Sequence, residues 1–334
     1  MKFKINLIIT IAFLSQFTYA QNSCKVDTAI NNLLHTPGYK VSKLGEIPKF
    51  VKKGSGAETL ILIPGIGFDA SVFDDFIKSN RSNYTMYAIT IPGFGKTAAP
   101  PMPDSSVSYG SQTWSKGVTE GILKLIESEK IQKPIIVGHF TLGTQLALRM
   151  AIDYPTKISG VIALGGQAKF IAIQNGRIMD YPLKSMIIGT DKYSAPLLFK
   201  GKKKKDWDDG NYLPEIYSLN KKMGNSLWKQ VAAIPVPVMV RYLCEFTSTD
   251  VKVDLDKIVC PVLILRSMFN STVLDSSVNN YVKPQFIDSW QGVKDINARI
   301  EIKDIDNSAT FAWKDQAFIV NEEIKKFINT KITK

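Results

Sequence analysis

The stretch Val137–Ala151, VGHFTLGTQLALRMA, sets a histidine and a threonine between an apolar run and an amphipathic one. A hydroxyl on such a corner attacks an acyl carbon once a neighbouring base takes its proton. Backbone N–H groups beside the corner then hold the oxyanion that forms. Thr141 supplies a hydroxyl, and His139 precedes it by two residues. The other histidine of the chain is His35, ahead of the first strand. Two histidines and three cysteines (Cys24, Cys244 and Cys260) without a Cys-x-x-Cys give no ligand set for zinc, so no metal site and no cofactor are expected.

The surrounding pattern indicates which elements position this corner. TLILIPG and YTMYAITIPGFG are apolar runs that stop at Pro-Gly, as strands buried on both faces do. KPIIVGH and ISGVIALGG repeat the pattern, and CPVLILRS and ARIEIKDI resume it near the end. Between them lie helical stretches. One is expected from about Ser106 to Lys130, where Trp114, Val118, Ile122 and Ile126 form a single apolar stripe. A second is LGTQLALRMAIDYP, stopped by Pro155, and a last one is DQAFIVNEEIKKFI. Strands alternating with helices predict an α/β fold with a mostly parallel central sheet covered on both faces. Ahead of it, YKVSKLGEIPKFVKKGSGAE has the turn signals of a hairpin. From Gln167 to Asp254 the alternation lapses, with helices expected at Leu213–Val231 and Val236–Phe246, which fits an inserted helical cap. The division is then residues 1–20 as an export signal, 21–166 and 255–334 as the core, and 167–254 as the cap.

Met1–Ala20 carries Lys2 and Lys4, the apolar run Leu7–Leu14 and a small residue at Ala20, the layout of a cleaved signal peptide. The run is too short to span a bilayer, so an exported protein, periplasmic or extracellular, without stable membrane insertion is expected. In an oxidising compartment three cysteines allow one disulfide and leave one thiol over. The formal net charge is +12, and loss of the signal leaves +10. The lysines are spread along the chain except for KGKKKK, Lys200–Lys205, which DWDDG partly cancels and which reads as a solvated loop. GFGKT, Gly93–Thr97, echoes a phosphate loop, but Thr90 stands where its first glycine belongs, and AAPPMP cannot open the required helix. Neither a nucleotide nor a nucleic-acid partner is expected, and the sequence gives no oligomeric state.

The ordered set LILIPGIGFDASVFDDF, AITIPGFGKT, PIIVGHFTLGTQLALRMAIDYPTKISGVIALGG and LDKIVCPVLILRS resembles the α/β-hydrolase superfamily with a cap, over about Phe50 to Phe327. The resemblance implies a nucleophile elbow of the form G-x-S-x-G. Counted from the strand, Gly138 is its first glycine and Phe140 stands at the corner; counted back from the helix, Gly143 closes it and Thr141 stands there. The helix register is favoured, because LGTQLALRMA matches the family helix throughout. The resemblance further places Asn270 where the acid is expected and Thr310 where the histidine is expected; Asp275, close behind, would be a displaced acid with no histidine to orient and reads instead as a surface residue or a helix cap. It implies oxyanion N–H groups at Ile66 and Leu142.

All three triad positions thus depart from the family pattern. Removing serine or histidine from such a triad lowers turnover by on the order of 10⁶. The expectation is therefore a degenerate triad, weak or absent hydrolysis, and a retained pocket for a small apolar or acyl-type ligand. One alternative is an active ester, lactone or amide hydrolase using Thr141 with His139. Another is a non-catalytic module that docks a partner or an envelope polymer through its basic face.

Overall fold

The computed structural model describes residues 40–174, 177–199, 204–270 and 276–333. The expected export signal, Cys24, His35, Asp275 and most of the lysine run therefore lie outside the described residues. Cys244 and Cys260 are both buried and are not joined to each other. No helix among the described residues is long and apolar enough to cross a membrane.

The core is a seven-stranded sheet in the order β1-β3-β2-β4-β5-β8-β9. Its strands are β1 (Lys49–Lys53), β2 (Glu58–Ile63), β3 (Tyr84–Thr90), β4 (Ile135–His139), β5 (Gly160–Leu164), β8 (Val262–Ser267) and β9 (Ile300–Ile305). A separate two-stranded ribbon joins β6 (Ala172–Gln174) to β7 (Arg177–Met179). Every pairing in the large sheet is parallel except that of β1 with β3. Every residue of β4 and β5 is buried, which explains their unbroken apolar runs. The expected hairpin does not form. β1 pairs with β3 instead of turning back on β2, and its exposed lysines sit on the sheet edge, where charge discourages pairing with other chains.

The helices include α1 (Asp74–Asn80), α2 (Thr113–Ser128), α3 (Phe140–Asp153), α4 (Lys221–Ala232), α5 (Val236–Thr247) and α6 (Ala317–Phe327). In α2 the stripe Trp114, Val118, Ile122 and Ile126 is buried as its spacing requires. The helix begins at Thr113 rather than near Ser106, because Gln112 takes a left-handed φ of 58° and breaks the run. Between β5 and β8 the chain leaves the sheet for the ribbon and a set of helices that include α4 and α5. The helix expected from Leu213 starts at Lys221; Pro214–Ile216 is a single tight turn ahead of it, and Asn220 caps the start by accepting from the Met223 N–H.

Among the polar contacts that hold this excursion to the core are three sets. The Glu245 carboxylate on α5 accepts the N–H groups of Trp114 and Ser115 at 2.9 and 2.8 Å, capping α2, and pairs with Arg241 at 2.7 Å. Arg241 in turn lies 4.4 Å from the centre of the Tyr109 ring. The Asp315 carboxylate accepts from the Ser218 hydroxyl at 2.6 Å and from the Ala309 N–H at 2.9 Å. The third set is made by Thr310.

Candidate functional site

β4 ends at His139 and α3 begins at Phe140, whose φ is 54°. A bulky residue in this region is strained and persists only where its surroundings over-determine it. The corner residue is therefore Phe140. The register favoured from the helix, with Thr141 at the corner, is corrected. The reason lies in the glycines. A Cβ on Gly138 would sit 2.3 Å from the Gly143 carbonyl, and one on Gly143 would sit 2.5 Å from the Pro64 carbonyl. Both glycines are needed for close packing of β4, α3 and the end of β2. The extra residue between them is taken up after the corner, within the first turn of α3. Thr141 follows the corner, so the second N–H beside the corner belongs to Thr141. The placement of that donor at Leu142 is corrected with the register; Leu142 itself is buried in the core.

The Thr141 hydroxyl accepts the Ile66 N–H at 3.4 Å. The first expected oxyanion donor is thus engaged by the side chain that follows the corner. His139 is fully buried, and its Nδ1 accepts the Gly65 N–H at 3.4 Å. Because Nδ1 accepts, the neutral ring carries its proton on Nε2. Nε2 has no hydrogen-bond partner; the Thr310 backbone faces the ring and favours its charged form, but without hydrogen-bonding geometry. Burial dominates and holds the His139 pKa well below its ordinary 6.5, and the charge of Lys314 acts in the same direction. Neither ring nitrogen receives the Thr141 hydroxyl.

The Phe140 side chain fills the space above the corner. Its ring stacks on Phe286 at 5.6 Å and meets Tyr217 edge-on at 5.9 Å. A Cβ on Gly65 would lie 2.6 Å from the Phe140 Cβ, so glycine is required there for the phenyl to fit. The cluster continues through Phe68, which meets Phe311 edge-on at 4.9 Å, and through His139, 4.2 Å from Phe311 and 4.7 Å from Trp313. Edge-to-face pairs of this kind contribute about 0.5–1.5 kcal/mol each beyond their area.

Thr310 is fully buried beside this cluster, after β9. Its hydroxyl and its N–H both donate to the Ile216 carbonyl, at 2.7 and 3.0 Å. The position that the resemblance gives to a histidine therefore fastens the turn at Pro214–Ile216 to the sheet. Asn270, after β8, donates to Asn307 at 2.8 Å and links the loops that follow β8 and β9. The fold thus brings His139, Thr141, Ile66 and Thr310 into one neighbourhood.

A groove of about 800 Å³ opens to one side. It runs between the loops that follow β2 and β3 and the junction of α4 with α5, with Gly67, Gly93, Ala99, Ile234, Pro235 and Val238 on its apolar walls. Lys40, Lys96, Lys229 and Asp69 are its charged residues. Phe140, Thr141, His139 and Thr310 are not among its lining residues, so its volume is set apart from the corner. Gly93–Thr97 forms a closed turn here, with Thr97 accepting from the Gly93 N–H at 3.0 Å and donating to the Phe94 carbonyl at 2.7 Å.

Sequence reasoning missed the aromatic cluster and the groove. The alternation of Phe311 and Trp313 directly after Thr310 was the available signal for the first. Nothing local marks the groove, because its lining comes from four separated segments.

No family model matches the chain. By sequence it is 28% identical over 37% of its length to 20% of the biotin biosynthesis bifunctional protein BioHC of Cellvibrio japonicus. It is 26% identical over 35% of its length to 39% of a pimeloyl-[acyl-carrier protein] methyl ester esterase of Wigglesworthia glossinidia brevipalpis. The match thus spans well under half of these curated relatives. By structure it is similar to MenH from S. aureus, with a TM-score of 0.59, 15% identity, and 84% of this chain and 97% of that one covered. It is likewise similar to the enol-lactonase from Burkholderia xenovorans LB400, with a TM-score of 0.56, 13% identity, and 84% and 96% covered.

Proposed function

We propose that this chain, which has the α/β-hydrolase fold, is a binding protein with a degenerate triad, and that it retains little or no hydrolytic turnover. The observation that carries the reading is Phe140, a phenyl ring at the corner where the fold presents a nucleophile. Loss of serine or histidine from such a triad costs on the order of 10⁶ in turnover. Oxyanion stabilisation and binding alone leave roughly 10³–10⁴ over water. Here even that remainder is reduced, because the Ile66 N–H already has the Thr141 hydroxyl. Hydrolysis by Thr141 with His139 gains no geometric support, since no hydrogen bond links them and the ring is buried.

The ligand is a small apolar or acyl-type molecule, held in the groove between α4, α5 and the loops after β2 and β3. The relatives named for methyl ester hydrolysis and enol-lactone chemistry suit an acyl group. Met1–Ala20 supports export, so the ligand is met outside the cytoplasm. A panel of p-nitrophenyl esters and lactones tests the reading. The expected result is no saturable hydrolysis with any of them. Turnover near the ordinary enzymatic value of about 10 s⁻¹ overturns it.

A further inference from the structure

We infer that the groove selects ligands that carry a carboxylate on an apolar body, an inference that rests on the reading of this chain as a binding protein. The groove has a volume of about 800 Å³, within the range of pockets that hold small molecules. Its walls are mainly apolar, and its charges are unequal: Lys40, Lys96 and Lys229 against Asp69. None of these lysines makes an ion pair among the described residues, and all three are exposed. The single acid has one oxygen engaged and keeps its charge, which leaves the lysines in excess. Asp69 accepts the Ser71 N–H at 2.9 Å and the Ser71 hydroxyl at 2.5 Å, capping the turn that follows. A cleft with like charges over low-dielectric walls concentrates counter-charge within it.

Gln230 also lines the groove; its side-chain oxygen is buried without a partner, and the neutral amide adds no preference of charge. Phosphate is the poorer fit, because Gly93–Thr97 closes on itself through Thr97 and opens no helix. An acyl chain lies along Ala99, Ile234 and Val238, and its carboxylate faces the lysines.

Calorimetric titration of the full chain with decanoate and with methyl decanoate, which share the apolar body and differ in charge, tests this. Lys96→Gln/Lys229→Gln and Ala233→Trp are the variants; Ala233 is exposed on the groove wall, so the indole fills the groove without entering the core. Decanoate is expected to bind about fivefold more tightly than the ester, the effect of an ion pair at a surface. That preference is expected to shrink with added salt and to vanish once Lys40→Gln is added to the double lysine variant, with both ligands lost in Ala233→Trp. Equal affinity for the two ligands, or a preference that survives the lysine changes, overturns the charge selection and leaves the binding reading in place. Binding that survives Ala233→Trp overturns the groove as the site. Binding of neither ligand removes both.

Discussion

Phe140 keeps a left-handed backbone without being a glycine, and its ring is held by Phe286, Tyr217 and Phe68. The strain at its backbone, of order 1–3 kcal/mol, is offset by the burial of a whole phenyl, worth about 1.5–3 kcal/mol, together with its ring contacts. Its neighbour His139 has a consequence for pH. The buried ring resists protonation, whereas in the unfolded chain it titrates near 6.5. Below that pH the unfolded state binds a proton that the folded state refuses, so stability falls as pH falls. Urea unfolding at pH 7.5, 6.5 and 5.5 is expected to show this fall in the parent, approaching about 1.4 kcal/mol per unit below 6.5. In His139→Gln the slope is expected to be shallower by that amount. At this scale the sequence named the right neighbourhood but not the corner. Gly138 and Gly143 have one residue too many between them for the family elbow, and spacing alone does not tell which side of the corner absorbs it. The φ of Phe140 does.

At the scale of elements, α2 shows what periodicity reads and what it misses. The stripe from Trp114 to Ile126 is visible in sequence, but the helix starts after the left-handed Gln112, and its first N–H groups are capped by Glu245, more than a hundred residues downstream. Glu245 and Arg241 are both almost fully buried, and removal of one partner strands the other. Glu245→Ala is expected to cost about 3–5 kcal/mol in urea unfolding, whereas an exposed control such as Glu322→Ala is expected to change little. Thr310 is a second long-range tie. Thr310→Val removes the hydroxyl bond to the Ile216 carbonyl while keeping shape, and is expected to cost about 1 kcal/mol. Amides of Glu215, Ile216 and the following residues are expected to exchange faster in that variant, with those of β4 unchanged. If the exchange is unaltered, Thr310 does not tether this segment.

For the whole molecule, the parallel sheet and its order of elements were legible because each buried strand is a short apolar run between turn residues. The edge strand was not, since β1 alternates like half a hairpin and finds its partner in β3 across the intervening β2. The groove was invisible for the same reason that Glu245 was: its residues converge only after folding. The molecule is thus a hydrolase scaffold whose corner is filled and which has an open groove to one side of it. This is tested most directly by steady-state hydrolysis of p-nitrophenyl butyrate with the parent and with Thr141→Ala, each against the buffer rate. The account predicts that the two proteins give the same low, unsaturable rate. Saturable turnover in the parent that disappears in Thr141→Ala contradicts it.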